Sequence, residues 1–244
     1  MRQTLKHCRF AALVCAFTAS VAFSQRFSQL TTPTPVPPGS TLVIGFLGGY
    51  DRWDDEHRSV RQLVLKLRQQ VNVYAESISN HHRALALKLI QQALDTNHNN
   101  RLDPEEIANA RIILFGQSWG GAATIALARE LQKMGIPVLL TVQVDSVGTH
   151  DDLIPSNVRA AANFYQHDPF TTIHGRSHIR AADPSRTVIL GNFQSSYVFR
   201  SVDESNATKA RQVFGGSHTK LELDPVVWSR VEQYISDAIA RRLP

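Results

Sequence analysis

The run Arg111-Ile112-Ile113-Leu114-Phe115-Gly116-Gln117-Ser118-Trp119-Gly120-Gly121 decides the fold of this chain of 244 residues. Its first five residues are mostly apolar and predict a buried strand, and the helical run 122–134 follows directly. A serine at the apex of a strand-to-helix turn, with glycines on both sides, matches the G-x-S-x-G pattern. Glycines let the two backbones come close enough for the strained turn that lifts the Ser118 hydroxyl above the sheet edge. We therefore predict that Ser118 is a nucleophile.

Strand and helix patterns alternate along the rest of the chain. The apolar run Thr41–Phe46 predicts a first strand buried on both faces. Apolar residues at helical spacing in 60–67 predict an amphipathic helix after it. This alternation implies a three-layer α/β fold, with a mostly parallel sheet and helices on both faces. The other predicted strands are 71–75, 136–144 and 187–191, and the other predicted helices are 84–94 and one that begins at Pro225.

A serine hydroxyl becomes a useful nucleophile only when a histidine and a carboxylate assist it, in the chain order serine, acid, histidine. We predict His218 as the base. It follows 212–214, predicted as a last short strand, and the predicted flexible turn 215–217. His174 and His178 also follow the serine, but they lie between strands and fit loop positions better.

The acid is predicted from the end of a strand. Asp145 ends the apolar run 137–144, so its carboxylate should emerge at the same sheet edge as Ser118. In the commoner arrangement the acid follows the next core strand, but no carboxylate follows 187–191 until Asp203. We therefore rank Asp145 first, Asp203 second and Asp152 third.

Acyl transfer also needs N–H groups that stabilise the developing oxyanion. The amide of Trp119, directly after the predicted nucleophile, should supply one. The second should come from Leu47-Gly48-Gly49, after the first strand, where glycines let the backbone turn its N–H groups inward.

These features together resemble the α/β-hydrolases, in particular the lipase- and esterase-like branch. The resemblance covers residues 41–244 and implies an α/β-hydrolase fold with Ser118 as nucleophile, His218 as base and Asp145 as orienting acid. It implies a small-molecule or lipid ester as substrate and no organic cofactor. The alternative is a calcium-binding protein of the same fold that binds a ligand or partner without turnover.

A second motif, residues 95–106, matches the twelve-residue calcium loop of an EF-hand. Asn100 stands where glycine is usual, and asparagine tolerates the left-handed turn needed there. A bound Ca²⁺ would be structural. The alternative to a calcium site is that 103–106 only starts a helix after an Asn-rich turn. The predicted ligands are Asp95, Asn97, Asn99, Asp103 and Glu106 through side chains, and Arg101 through its carbonyl.

Residues 1–24 have the pattern of a secretory signal peptide. Arg2, Lys6 and Arg9 precede the apolar run 10–23, which is too short to span a bilayer comfortably. We therefore expect a secreted or periplasmic protein with no transmembrane segment after cleavage.

Cleavage would change the composition of the mature chain. Cys8 and Cys15 would both be removed, and the formal charge would fall from +5 to about +2. Without a basic stripe, nucleic-acid binding is not expected. The Pro-rich run 25–40 is predicted to be a solvated linker before the domain 41–244. The sequence does not indicate an oligomeric state.

Overall fold

The computed structural model describes residues 24–169 and 171–243. The signal-peptide prediction for residues 1–24 lies outside the described residues, apart from Ser24. Within these ranges, no helix combines the length and the apolar character that crossing a bilayer requires.

The described residues form eight strands and six α-helices, with short 3₁₀ turns at Phe27–Gln29 and Asn80–His82. The strands are β1 (Thr41–Leu47), β2 (Val73–Ser79), β3 (Ile112–Gln117), β4 (Val138–Val144), β5 (Leu153–Ile154), β6 (Val158–Gln166), β7 (Arg180–Ala181) and β8 (Val188–Ser195). The helices are α1 (Ser59–Leu67), α2 (Arg83–Leu94), α3 (Pro104–Ala108), α4 (Trp119–Lys133), α5 (Lys209–Leu223) and α6 (Pro225–Ile239).

Six strands pair in parallel in the order β2-β1-β3-β4-β6-β8, and β5 pairs with β7 separately. Alternate residues of a strand point to opposite faces of the sheet. Ile44 therefore packs toward α2 and α4, whereas Val43 packs toward α1 and α6. Helices thus cover both faces, and the predicted three-layer α/β fold is confirmed.

Several elements differ from the sequence-based expectation, strand β6 and helix α5 above all. Strand β6 was missed because its centre is the alanine run 160–162, and alanine has little preference for strands. The predicted strand 212–214 is wrong, because these residues lie within α5. Helix α5 is kinked at Gly216, where φ is 49° and ψ is −132°, so this residue marks a break between two helical segments.

The segment 25–40, predicted as a solvated linker, is largely exposed but is hydrogen-bonded to the domain at Glu76. The segment is bound by the buried carboxylate of Glu76. Glu76 Oε1 accepts hydrogen bonds from the amides and hydroxyls of Thr31 and Thr32, at 2.6 to 2.9 Å. Arg68 pairs with the other oxygen at 2.6 Å. A buried carboxylate needs such partners, and this segment supplies four of them.

We expect Glu76→Ala to lower the free energy of unfolding by about 3–5 kcal/mol, because it removes the Arg68 ion pair and the four hydrogen bonds of a buried carboxylate. Urea denaturation measures this change. The matched control is Glu232→Ala, which breaks the exposed pair with Lys66 and should cost less than about 1 kcal/mol. Equal losses in the two variants would contradict an anchoring role for Glu76.

Candidate active site

The Ser118 turn joins β3 to α4 in a strained conformation. Ser118 has φ 56° and ψ −125°, a left-handed backbone that non-glycine residues seldom adopt. A Cβ at Gly116 would lie 2.3 Å from the Gly120 carbonyl oxygen, and one at Gly120 would lie 2.1 Å from the Phe46 carbonyl oxygen. Only glycines permit this close approach of β3, α4 and β1, which holds Ser118 at the carboxyl edge of the sheet.

The structure brings Ser118, His218 and Asp145 into one hydrogen-bonded array. Ser118 Oγ lies 3.0 Å from His218 Nε2, and His218 Nδ1 lies 2.6 Å from Asp145 Oδ2. All three side chains are buried. If Nδ1–H donates to Asp145, Nε2 accepts the proton of the serine hydroxyl, which is the arrangement that activates a serine.

Neighbouring strands explain why two of these residues meet. Gln117 at the end of β3 pairs with Val144 at the end of β4, so Ser118 and Asp145 follow at the same level of the sheet. His218 contacts both residues from α5, two residues after the break in this helix at Gly216. The predicted flexible turn 215–217 is therefore a kink inside a helix.

Asp145 is held in one orientation by several donors. Its Oδ1 accepts from the amides of Gln166 and Gly175, and its Oδ2 accepts from Gln166 Nε2, at 3.0 to 3.2 Å. A Cβ at Gly175 would lie 2.4 Å from Asp145 Oδ1, so the chain approaches the carboxylate closely here. These contacts fix the oxygen that faces His218.

The other candidates lie elsewhere. Asp203 is exposed and accepts from the Ser205 amide, while Asp152 lies 3.7 Å from Arg180. His178 contacts Asn192, and the His174 ring packs against His167 with centroids 4.6 Å apart. None of these four belongs to the array around Ser118.

The predicted oxyanion donors flank Ser118. Trp119 begins α4, where the amide has no partner within the helix. A Cβ at Gly48 would lie 2.9 Å from Ser118 Cβ, so the loop after β1 touches the turn. Asn80 Nδ2 donates to the Leu47 and Gly49 carbonyls at 3.0 and 2.6 Å. Because C=O and N–H point oppositely across a trans peptide, the Gly48 amide points away from Asn80.

Leu47 lies where β1 meets this loop. It is the last residue of β1, its side chain is buried in the core, and its carbonyl accepts from Asn80. Asn80 was not anticipated from the sequence, because an asparagine after a strand has no local signal for this long-range contact. Gln117 was also missed: its Nε2 lies 3.2 Å from His218 Nε2.

Asp168 is a second buried carboxylate beside the histidine that sequence reasoning missed. It accepts from Ser217 Oγ at 2.8 Å, Ser196 Oγ at 2.6 Å and the Tyr197 amide at 2.5 Å. Ser217 directly precedes His218, so Asp168 holds the kinked part of α5. Burial opposes ionisation of Asp168, but these hydrogen bonds together hold its pKa below the ordinary value.

The loop 95–106 forms a compact network of its own. The Asp95 carboxylate accepts from the amides of Asn99 and Asn100, at 3.1 and 2.9 Å. Asn100 has φ 61°, the left-handed turn expected at the sixth position. Asp103 Oδ2 accepts from Asn97 Nδ2 at 2.7 Å.

The predicted ligands Arg101 and Glu106 make other contacts. The Arg101 amide donates to Asn99 Oδ1 at 2.8 Å. Glu106 accepts from the amides of Asp103 and Thr96, so it caps the start of α3. No group of three or more His, Cys, Asp or Glu side chains suited to a metal occurs in 24–169 and 171–243.

A cavity of about 780 Å³ lies at the opposite edge of the sheet from Ser118. Its lining includes Leu42, Arg111 and Leu139, which stand at or beside the amino ends of β1, β3 and β4. Because Ser118 follows the carboxyl end of β3, this cavity is separate from the array described above.

No protein-family model matches the chain, and no curated protein matches it. Solved structures with a similar course of the chain include a dienelactone hydrolase-like promiscuous phosphotriesterase from metagenomic libraries, with 14% identity, 86% of this chain and 88% of that chain covered, and a TM-score of 0.42. A cutinase-like protein from Cryptococcus sp. is 14% identical, with 85% of this chain and 98% of that chain covered and a TM-score of 0.42. A thermostable esterase from Pseudomonas putida has 9% identity, 93% and 88% coverage, and a TM-score of 0.45.

We expect Asp168→Asn to destabilise the protein by about 1–3 kcal/mol near neutral pH, because hydrogen bonds to a buried charge are lost. Since the pKa of Asp168 is lowered in the folded chain, this stabilisation is present above the ordinary pKa and is lost as pH falls below it. Urea denaturation at pH 7 and at pH 3 measures the difference. A difference of equal size at the two pH values would contradict this role.

Proposed function

We propose that this chain is a serine hydrolase that cleaves carboxylic esters through an acyl-enzyme on Ser118. The observation that carries the proposal is the continuous contact from Ser118 Oγ to His218 Nε2, 3.0 Å, and from His218 Nδ1 to Asp145 Oδ2, 2.6 Å. The strained Ser118 turn adds support, because such strain persists where the surrounding structure holds a group for use.

In the proposed reaction, Ser118 Oγ attacks the ester carbonyl carbon while His218 Nε2 takes the hydroxyl proton. The amides of Trp119 and Gly48 stabilise the resulting oxyanion. The imidazolium then gives its proton to the departing alkoxide, which leaves as the alcohol. Water, deprotonated by His218, next attacks the acyl-enzyme and releases the carboxylic acid and free Ser118. Asp145 orients the ring and stabilises its charged form throughout.

The substrate in this proposal is a small-molecule or lipid ester, and the reaction needs no organic cofactor. The predicted signal sequence 1–24 is the basis for proposing that the mature protein acts in the periplasm or outside the cell. The competing function is ligand or partner binding without turnover, which would leave the same array in place but inactive.

We expect a fluorophosphonate probe to label the wild-type protein but not Ser118→Ala, and p-nitrophenyl acyl esters to be hydrolysed only by the former. Asp145→Asn should lower kcat by about 10⁴-fold, because His218 loses the partner that sets its tautomer. Mass spectrometry and absorbance at 400 nm, roughly where p-nitrophenolate absorbs, provide the readouts.

The matched controls are Asp203→Asn and Asp152→Asn, which remove the two carboxylates that ranked behind Asp145. These variants should keep kcat within about twofold of wild type. If neither wild type nor Ser118→Ala reacted with the probe or the esters, the chain would be a binding protein and not a hydrolase. Equal labelling and turnover of the two would rule out Ser118 as the nucleophile.

We also propose that residues 95–106 bind Ca²⁺ in a structural role. Support comes from the spacing of the oxygen-bearing side chains, from the clustering of Asn97, Asn99 and Asp103, and from the left-handed Asn100 at the sixth position. Asp95 would supply the first carboxylate. Glu106 would have to exchange its cap contacts for the ion, so we expect the affinity for Ca²⁺ to be weak.

We expect 10 mM Ca²⁺ to raise the melting temperature of the wild-type protein by about 3–10 °C over chelator, as estimated for a dissociation constant of about 10⁻⁴–10⁻³ M. Asp95→Ala should lose this increase, and Mg²⁺ should not reproduce it. Differential scanning fluorimetry measures the shift. No shift with Ca²⁺, or an equal shift with Mg²⁺, would rule out a calcium site.

A further inference from the structure

Three exposed aromatic rings pack on one another directly beside Ser118. The rings of Tyr50 and His81 are stacked, with centroids 5.3 Å apart and planes 27° apart. Trp119 meets both of them edge-on, at 5.6 Å from Tyr50 and 6.2 Å from His81. We call these three residues the ring cluster.

The topology explains why these residues meet. His81 follows β2, Tyr50 follows β1 and Trp119 follows β3, and these three strands are neighbours in the order β2-β1-β3. The carboxyl ends of parallel strands lie at one sheet edge, so the ring cluster forms there. Asn80, next to His81, holds the backbone of the loop that carries Tyr50.

The ring cluster is far more exposed than the residues of a core. Tyr50 is 85% exposed and Trp119 is 41% exposed, and His81 is also exposed. Tyr50 stays largely exposed even though its ring stacks on His81. Apolar ring surface held open beside a nucleophile gains free energy when a flat apolar group covers it.

The ring cluster and the histidine lie on different sides of Ser118. His218 and Asp145 are on the side of β4, whereas the ring cluster is on the side of β1 and β2. In the proposed reaction His218 protonates the departing alcohol, so the alcohol part of the ester lies toward β4. The oxyanion of the tetrahedral intermediate points at the amides of Trp119 and Gly48, so the acyl substituent takes the one remaining direction. We infer that this direction runs past the exposed rings of Tyr50 and Trp119.

We propose that the ring cluster selects esters whose acyl part carries a planar aromatic ring, that is, esters of aromatic carboxylic acids. This inference rests on the proposed function and names the substrate class of the same site. The acyl ring would stack on Tyr50 and meet the edge of Trp119, with offset or edge-to-face geometry. Tyr50 and Trp119 are thereby specificity-determining residues.

The experiment compares three esters by pH-stat titration. Methyl benzoate carries the ring in the acyl part, phenyl acetate carries it in the alcohol part, and methyl butyrate has no ring. The test variants are Tyr50→Leu and Trp119→Leu; the latter removes the ring but keeps the backbone amide. Tyr50→Phe keeps the ring, and Phe199→Leu removes an exposed ring after β8, outside the ring cluster. Circular dichroism checks that each variant is folded.

We expect Tyr50→Leu and Trp119→Leu to lower the ratio of kcat/KM for methyl benzoate over methyl butyrate by about 3- to 10-fold. The ratio for phenyl acetate over methyl butyrate should change by less than about twofold. Tyr50→Phe and Phe199→Leu should keep both ratios at their wild-type values.

Two results would overturn the inference while the proposed function stands. One is labelling of Ser118 and ester turnover with the benzoate ratio unchanged in the test variants. The other is a larger loss in the phenyl acetate ratio, which would place the ring cluster on the alcohol side. Failure of the wild-type protein to react with the probe or with any of the three esters would instead overturn the proposed function, and this inference with it.

Discussion

The close approach of three backbones at Gly116 and Gly120 is the constraint on which the site depends. A side chain at either position would collide with backbone atoms of α4 or β1. Because the glycines remove that obstacle, the chain reverses within one residue, and Ser118 takes a conformation that costs of order 1–3 kcal/mol. The packing of β1, β3 and α4 offsets that cost, since their apolar residues are fully buried on both faces of the sheet. The same packing brings Gly48 against Ser118, so the serine turn and the loop after β1 are positioned together.

The position of His218 depends on different interactions, because hydrogen bonds and ion pairs of buried carboxylates hold α5 on the domain. Asp168 holds Ser217 before His218, and Glu222 lies four residues after it, in contact with Arg58 and Arg211. Burial raises the pKa of Glu222 above its ordinary value, although the two arginines oppose this shift. Arg211 also pairs with Asp51 at 2.8 Å, in the loop after β1. One ionic network therefore links the helix that carries His218 with the loop after β1 that carries Gly48 and Asp51.

The sequence is informative wherever local pattern and strand topology decide the structure. The serine turn and the carboxylate at the end of β4 are local signals, and parallel pairing of β3 with β4 brings them together. The kink at Gly216 and the packing of 25–40 on Glu76 arise from contacts between distant segments, so periodicity could not show them. Strand β6 was not predicted because alanine has little preference for strands. Its alanines 160–162 are instead fully buried on the two faces of the sheet, next to β4.

Missing β6 also hid the position of a second acid. Strand β6 lies next to β4, and Asp168 follows it at the same edge at which Asp145 follows β4. Two carboxylates at neighbouring strand ends could both serve one histidine, but their contacts differ. Asp145 contacts the His218 ring, whereas the Asp168 carboxylate accepts hydrogen bonds from Ser196, Tyr197 and Ser217. The fold therefore separates orientation of the imidazole from support of the backbone that carries it, and the strand end nearer to Ser118 provides the acid in the proposed reaction.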